Sequence, residues 1–158
     1  MKDSRLHIEQ VKESSDIPFD LLELADPSRS QINEYLKSGT CYVAKVDSKM
    51  VGVLVLYHID STSIEVKNIA VDESEQGKGF GKALLRYSKI VSRELGYEKL
   101  IIGTGNSSIG QLALYQKEGF EISRIKKDFF ITNYPEPIFE NGIQCKHMVV
   151  LEKNLKKE

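Results

Sequence analysis

The sequence predicts a fold of the α/β (α+β) class, built on a mixed, mostly antiparallel central sheet flanked by helices. Between residues 40 and 71, three apolar runs rich in β-branched residues are separated by short polar turns, which is typical of an antiparallel meander. From residue 81 onward, segments of helical spacing alternate with strand-like segments. A meander followed by such alternation indicates a mixed sheet with helices on its faces.

The first 39 residues predict one strand and two helices. Residues 5–11 alternate between apolar and polar side chains, as a strand does. Residues 17–24 form an apolar patch that fits a short helix, and Pro27 breaks the pattern. Residues 28–37 predict a second helix, which Gly39 ends.

The remaining elements follow from the same patterns. The meander strands are residues 40–46, 50–57 and 63–71, and the turn Asp47-Ser48-Lys49 joins the first two as a β-hairpin. Helices are predicted over residues 81–95 and 109–117, and strands over residues 99–103, 120–125 and 147–151. Two prolines one residue apart exclude a regular element from residues 133–137, so this part is predicted as a loop.

Composition restricts the classes of function. The 158 residues, 41% apolar and 28% charged, suit a single domain over residues 1–158. Lys and Arg number 22 and Asp and Glu number 23, which gives a net charge of −1. Proteins that bind nucleic acid or an anionic membrane carry a basic excess, so we expect neither partner.

Location and metal content can also be predicted. The sequence shows neither a signal peptide nor an apolar run long enough to cross a membrane, so we expect a cytoplasmic protein. In that compartment Cys41 and Cys145 should stay reduced. The histidines His7, His58 and His147 are scattered, with no carboxylate or cysteine at metal-binding spacing, and no metal site is predicted.

The most informative stretch is Gln76-Gly77-Lys78-Gly79-Phe80-Gly81-Lys82, where a strand runs through a glycine-rich loop into a helix. Glycine leaves no side chain between the backbone and a ligand, and the free N–H groups at a helix N-terminus favour phosphate. The spacing matches neither the G-x-G-x-x-G fingerprint of dinucleotide-binding folds nor the G-x-x-x-x-G-K-[ST] pattern of P-loops. A tight strand-to-helix turn without a ligand is the alternative.

Two blocks of the sequence resemble the signatures of the GNAT superfamily of N-acetyltransferases. The spacing Gln76-x-x-Gly79-x-Gly81, directly after Asn68-Ile69-Ala70-Val71, is similar to the loop that holds the pyrophosphate of coenzyme A. The run Leu114-Tyr115-x-Lys117-x-Gly119-Phe120 resembles the second signature, in the family's order and at about its separation.

The resemblance implies the GNAT fold, acetyl-CoA as acyl donor, and the primary amine of a small molecule or a protein as acceptor. Homodimers are common in the superfamily, so the resemblance also allows a homodimer. A catalytically silent module of the same fold, which binds or senses acyl-CoA, is the alternative function.

The resemblance also implies the residues that contact the cofactor. They are the backbone of Ile69, Ala70 and Val71, the loop residues Gln76, Gly77, Lys78, Gly79, Phe80, Gly81 and Lys82, and the side chains of Asn106 and Tyr115. Asn106 also belongs to a good turn and helix N-cap sequence, which requires no ligand.

Two residues are the candidates for acid–base catalysis. The resemblance implies that Tyr115 protonates the departing thiolate, whereas the alternative is a tyrosine that only packs on a helix face. Glu65 is the candidate base that takes a proton from the amine, and the alternative is a solvated carboxylate paired with Lys67. Strict alternation along residues 63–71 would place Glu65 on the same face as Ile69 and Val71.

The segment from Phe129 to Gly142 is predicted as a long aromatic and acidic loop beside the acceptor site. Glu136 and Glu140 within it are candidates for binding a cationic amine between aromatic walls. The alternatives are an apolar loop that packs on the sheet and a contact between two copies of the chain.

Overall fold

The computed structural model describes residues 5–156 and contains a central seven-stranded sheet with helices on both faces. Its strands lie in the order β1, β2, β3, β4, β5, β9, β6, and every neighbouring pair is antiparallel except β4 with β5. The strands are β1 (Leu6–Gln10), β2 (Thr40–Val46), β3 (Lys49–His58), β4 (Ser63–Val71), β5 (Lys99–Gly105), β6 (Glu121–Lys126) and β9 (Met148–Asn154). The predicted fold class is confirmed.

Five helices and a small hairpin complete the described part of the chain. The helices are α1 (Phe19–Ala25), α2 (Arg29–Leu36), α3 (Phe80–Glu94), α4 (Ile109–Lys117) and α5 (Phe129–Asn133). The hairpin pairs β7 (Ile138–Glu140) with β8 (Ile143–Cys145) outside the main sheet. None of the helices formed by residues 5–156 is long and apolar enough to cross a membrane.

The sheet is covered by a hydrophobic cluster on each face. On one face α3 buries Phe80, Leu84 and Leu85 against the sheet, and α4 adds Tyr115 to the same cluster. On the other face α1 and α2 pack through a smaller set that includes the fully buried Leu22 and Ile32. Burying side chains on both faces explains why residues 51–56 of β3 are all buried and include no polar side chain.

Most predicted boundaries agree with the structure within one or two residues. The hairpin between β2 and β3 turns through Asp47 and Ser48, which both have positive φ, as a tight two-residue connection requires. Helix α3 starts one residue earlier than predicted, and Gly96 follows it with a φ of 93°. Strand β9 begins one residue later than predicted and continues to Asn154.

The segment that was predicted as a loop over residues 129–142 contains regular structure. Helix α5 occupies its first five residues, and β7 lies near its end. The apolar and aromatic residues of this segment form one helical turn and one strand. Asn141 and Gly142 form the turn between β7 and β8, and residues 134–137 remain without regular structure. The prediction that the two prolines exclude a regular element is confirmed for this shorter stretch.

Strand β4 contains a β-bulge that changes which residues share a face. Asn68 pairs with Val55 of β3 and Val66 pairs with Leu56, so Lys67 is an extra residue without a partner on β3. A bulge of this kind interrupts the alternation of side chains along the strand. The prediction that Glu65 shares a face with Ile69 and Val71 is therefore wrong.

The register of β4 with β3 shows the observed faces. Glu65 lies opposite Tyr57, and Asn68 and Ala70 lie opposite Val55 and Val53 on the face covered by α1 and α2. The other face carries four residues of β4 that pack against the α3 side, namely Ile64, Val66, Ile69 and Val71. Glu65 and Asn68 therefore project from the same side of the sheet.

Strands β4 and β5 separate at their C-terminal ends. They pair in parallel from Ser63–Lys99 to Val66–Ile102, and no pairing follows. Beyond this point β5 continues beside β9 as far as Gly105, while residues 68–71 of β4 are paired with β3 alone. The central sheet is consequently open between two of its strands, directly before the glycine-rich loop.

Candidate active site

The glycine-rich loop presents a run of backbone N–H groups without hydrogen-bond acceptors. Gly77 and Gly79 have φ values of 82° and 89°, and Gly79 is the residue before the first turn of α3. The N–H of Ala83 bonds the carbonyl of Gly79 and begins the helix. Within residues 5–156, nothing accepts a hydrogen bond from the amides of residues 76–82. Such an array at a helix N-terminus fits the negative charge of a pyrophosphate.

The side chains of the loop leave this surface open. Gln76 turns back and donates from Nε2 to the carbonyl of Val71 at 3.1 Å. The ring of Phe80 is buried in the core, so this residue can offer a ligand only its backbone. The ammonium of Lys78 lies 2.9 Å from Glu75, which reduces its effective charge, whereas Lys82 has no ion pair with any described residue.

A cavity of about 380 Å³ lies where β4 and β5 separate, and it is called the central cavity below. Its walls come from the junction of α1 and α2, from β4, β5 and α4, and from the segment between α5 and β9. Four of the predicted site residues line it, namely Glu65, Ile69, Tyr115 and Glu140. The loop residues 76–82, Ala70, Val71, Asn106 and Glu136 do not.

Tyr115 is 5% exposed and packs beside Phe120, with 6.2 Å between the ring centroids. Burial raises its pKa above the ordinary value of a tyrosine, so the hydroxyl keeps its proton. No residue between 5 and 156 forms a hydrogen bond with this hydroxyl, although the side chain lines the central cavity. A protonated donor without a partner is therefore available at the cavity wall.

Glu65 lies on the opposite wall, on β4. Its side chain is 15% exposed, and its carboxylate is 3.9 Å from the ammonium of Lys67. The ammonium of Lys67 also lies 5.8 Å and 5.7 Å from the ring centroids of Tyr35 and Tyr57. It therefore interacts with two aromatic rings as well as with Glu65. The pairing of Glu65 with Lys67 that the sequence allowed is present, and the carboxylate still lines the cavity.

Asn106 holds the chain rather than facing the cavity. Its Oδ1 accepts from the backbone N–H groups of Lys146 and His147 at 2.8 Å and 2.9 Å. Its Nδ2 donates to the carbonyl of Gln144 at 3.1 Å. These three bonds fix the connection between β8 and β9 against the end of β5, while Ser108 stands at the N-cap of α4.

Of the two acidic residues proposed for the acceptor, only Glu140 faces the central cavity. Its carboxylate accepts from the hydroxyls of Ser108 at 2.6 Å and Ser107 at 3.4 Å. Glu136 is exposed in the loop before β7 and is absent from the cavity wall. Within residues 5–156, no group of His, Cys, Asp and Glu side chains could hold a metal ion.

Sequence reasoning missed a polar cluster on the α1–α2 side of the cavity. The carboxylate of Asp26 accepts from the hydroxyls of Tyr134 at 2.9 Å and Tyr35 at 3.2 Å. Asn68 donates to the Tyr35 oxygen at 2.9 Å. In the sequence Asp26 is only the residue before a helix-breaking proline, and Tyr134 is 108 residues away from it. The sequence holds no local signal for this pair, because only the packing of α1 and α5 brings the two residues together.

A sheet that opens beside an amide-lined loop is the arrangement of an acyltransferase that takes its acyl group from coenzyme A. A family model described as "Acetyltransferase (GNAT) domain" matches residues 37–122. Because this match covers more than half of the chain, the chain belongs to the GNAT acetyltransferase family.

Three relatives agree with this assignment. An uncharacterized N-acetyltransferase of Bacillus subtilis (strain 168), YvbK, is 49% identical over 98% of this chain and 100% of its own length. A GNAT family acetyltransferase from Elizabethkingia anophelis, solved with acetyl-CoA bound, is 48% identical, with a TM-score of 0.94 over 96% of this chain and 99% of its own. An IAA acetyltransferase from Bacillus cereus ATCC 14579 is 47% identical, with a TM-score of 0.91 over 94% and 99%.

The chain is thus an N-acetyltransferase that uses acetyl-CoA as its acyl donor. The residues present fit that cosubstrate, because the unpaired amides of residues 76–82 suit its pyrophosphate and the opening between β4 and β5 suits an extended arm.

Proposed function

We propose that the acetyl acceptor is a primary amine bound in the central cavity, with Glu65 as base and Tyr115 as acid. The observation that carries this proposal is that both side chains line one cavity, at the point where β4 and β5 separate. A transfer between an acyl donor and an amine needs both reactants at one place.

The reaction requires one residue to accept a proton and another to donate one. Primary amines are mostly protonated near neutral pH, so the carboxylate of Glu65 takes one proton, directly or through water, before the nitrogen attacks. A C–N bond then forms, the C–S bond of the thioester breaks, and the nitrogen loses its second proton as the amide forms. That proton returns, through water, to the Tyr115 oxygen once this oxygen has given up its own. The hydroxyl of Tyr115 gives its proton to the departing thiolate, and the raised pKa of Tyr115 keeps that proton in place until it is needed.

The backbone of β4 supplies the third requirement, a hydrogen-bond donor for the acyl oxygen as it gains negative charge. Residues 69–71 have no partner on β5, so amides on that side of the strand are free for a ligand. A catalytically silent module that only binds acyl-CoA would not need Glu65 and Tyr115 to line one cavity.

A thiol-release assay tests the proposal. The purified protein is mixed with acetyl-CoA and a panel of primary amines, with an N-terminal peptide, a lysine peptide and IAA, the compound for which the Bacillus cereus relative is named. We expect release of free coenzyme A with at least one primary amine. Acetylation of IAA without any reaction of the amines would contradict the proposal.

The Tyr115→Phe variant tests the role of the acid. It keeps the aromatic packing beside Phe120 and removes only the hydroxyl, so we expect kcat to fall roughly 100-fold or more while the affinity for acetyl-CoA stays nearly unchanged. Tyr87→Phe is the matched control, because Tyr87 packs against the same cluster but lies outside the cavity. Unchanged turnover in Tyr115→Phe would remove Tyr115 from the mechanism.

A further inference from the structure

The walls of the central cavity carry more negative than positive charge. The charged side chains that line it are Glu23, Asp26, Glu65, Glu140 and Lys67. Two of the carboxylates have basic neighbours, since Glu23 lies 2.7 Å from Arg29 and Glu65 lies 3.9 Å from Lys67. A cleft whose walls have one predominant sign concentrates ligands of the opposite charge.

The hydrogen-bond partners of the Asp26 carboxylate are all neutral groups. Besides the two tyrosine hydroxyls, its carboxylate accepts from the backbone N–H of Ser28 at 3.1 Å. No lysine or arginine within residues 5–156 forms an ion pair with Asp26, and the same holds for Glu140. The neutral donors fix the orientation of the Asp26 carboxylate while leaving a full negative charge at the cavity wall.

A second observation points to a ligand that is rich in N–H groups. Asn68 is 3% exposed, and its Nδ2 donates to the carbonyl of Leu22 at 3.0 Å and to the Tyr35 oxygen. Because a carbonyl can only accept, this contact fixes the orientation of the amide. The Asn68 Oδ1 atom is then a buried acceptor without a donor.

We propose that the acceptor is a small dication, a diamine, whose reacting amine lies beside Glu65 and whose second ammonium is held by Asp26. This inference rests on the proposed function and names the class of amine that the site selects. The ammonium donates to Asp26, and the buried position of Asn68 favours an N–H group nearby. Asp26 is thus a specificity-determining residue that takes no part in the proton transfers.

The spacing along the wall suits a short alkyl chain. Glu65 and Asn68 lie on one face of β4 opposite Tyr57 and Val55, two ladder positions and therefore about 7 Å apart. From Asn68 the hydroxyl of Tyr35 leads to Asp26 through contacts of 2.9 Å and 3.2 Å. A chain of a few methylene groups with an amine at each end spans part of this path, and a hydrogen bond of about 3 Å at each amine extends its reach.

The test compares 1,4-diaminobutane with 1-aminobutane, which has the same carbon chain and one amine. We expect the wild-type KM to be about tenfold lower for the diamine, since a hydrogen bond to a charged group contributes enough to change affinity by that factor. Asp26→Asn should raise the KM for the diamine to that of the monoamine and leave the monoamine KM and kcat within about twofold. Asp20→Asn, an exposed carboxylate of α1 outside the cavity, is the matched control.

A second variant separates charge from structure. Tyr134→Phe removes the hydrogen bond to Asp26 but keeps its charge, so the preference for the diamine should persist. If Asp26→Asn raises KM or lowers kcat equally for both amines, Asp26 has only a structural role and the inference is overturned. Wild-type acetylation without preference for the diamine would overturn it as well while leaving the proposed function intact. If no amine is acetylated and calorimetry with coenzyme A shows no binding of 1,4-diaminobutane, both fail.

Discussion

At the scale of single residues, Gly79 has the conformation that the predicted cofactor loop requires. Its φ of 89° lies in the left-handed region, and a Cβ atom built on it meets nothing within 4 Å. The surroundings of Gly79 are therefore open, and the loop on either side of it carries the amides without acceptors. A side chain there would strain the backbone and also enter the region in which a phosphate is expected.

The variant Gly79→Ala tests this double role against a matched control. Gly96 has a φ of 93° and equally open surroundings, but it follows α3 at the opposite end from the loop. We expect both alanine variants to lower the free energy of unfolding by about 1–2 kcal/mol through left-handed strain. Only Gly79→Ala should weaken acetyl-CoA binding, by roughly tenfold, as measured by calorimetry. Equal affinities in the two variants would contradict the assignment of the loop.

The sequence alone allowed us to name candidate residues where type and spacing form a local pattern, but not residues that only the fold brings together. The glycines of the loop and Tyr115 stand in short, contiguous patterns. Asp26 and Tyr134 have no local pattern, because their shared hydrogen bond depends on where α1 and α5 pack. Asn106 was predicted for the cofactor, and the structure shows its amide bound to the backbone before β9, a contact that spacing cannot reveal.

At the scale of elements, the bulge in β4 coincides with the opening of the sheet and determines the face on which Glu65 lies. One extra residue bends a strand and increases its local twist. Here the extra residue is Lys67, and pairing with β5 ends at Val66, the residue before it. The bulge therefore marks the point at which the sheet opens. It also turns Glu65 to the face of Asn68, which no alternating pattern could predict.

Deleting Lys67 tests the bulge. The deletion leaves Val66 and Ile69 on the α3 face and Asn68 on the other, so we expect the protein to fold. A regular β4 would stay beside β5 for longer and close the opening, and acetyl-CoA affinity should fall about tenfold or more. Lys67→Ala removes the same charge but retains the extra residue, and its affinity should resemble that of the wild type. If the deletion variant binds normally, the bulge does not open the sheet.

At the scale of the whole molecule, two tyrosines are buried in opposite hydrophobic clusters. Tyr35 and Tyr115 are 6% and 5% exposed, and burial raises the pKa of each. Each group therefore keeps its proton in the folded state at a pH where the unfolded chain, with a pKa of about 10, has lost it. The contribution of these two hydroxyls to the free energy of unfolding is complete below that pH. It is lost progressively above that pH, because the unfolded state then binds fewer protons than the folded state.

Alkaline titration measures this effect. Between about pH 10 and pH 11, the free energy of unfolding should fall by as much as about 1.4 kcal/mol per pH unit for each buried tyrosine. Denaturant unfolding at pH 8, 9, 10 and 11 gives the slope. In Tyr115→Phe, the free energy of unfolding should fall less steeply with pH, because one titrating hydroxyl is missing. A stability that stays constant to pH 11 would contradict the burial of these hydroxyls.

The overall architecture was predictable because the central strands and helices are long and strongly patterned. The parts that were predicted less well lie in the last third of the chain, where α5 has five residues and β7 has three. Elements this short carry too few residues to establish a period, and tertiary contacts decide their conformation. The same segment forms one wall of the central cavity, so the side that we propose for the acceptor was less predictable than the glycine-rich loop.

Both thiols of this chain are packed inside the protein. Cys41 is 6% exposed, and burial raises its pKa to about 12. Cys145 is 5% exposed and lies against Gly105 so closely that a Cβ atom there would collide with its sulfur, and burial raises its pKa as well. Aromatic disulfide reagents react with thiolates, which neither cysteine forms readily at neutral pH. Coenzyme A set free by this enzyme therefore stands out as the fast-reacting thiol, and the protein contributes little background to a colorimetric readout.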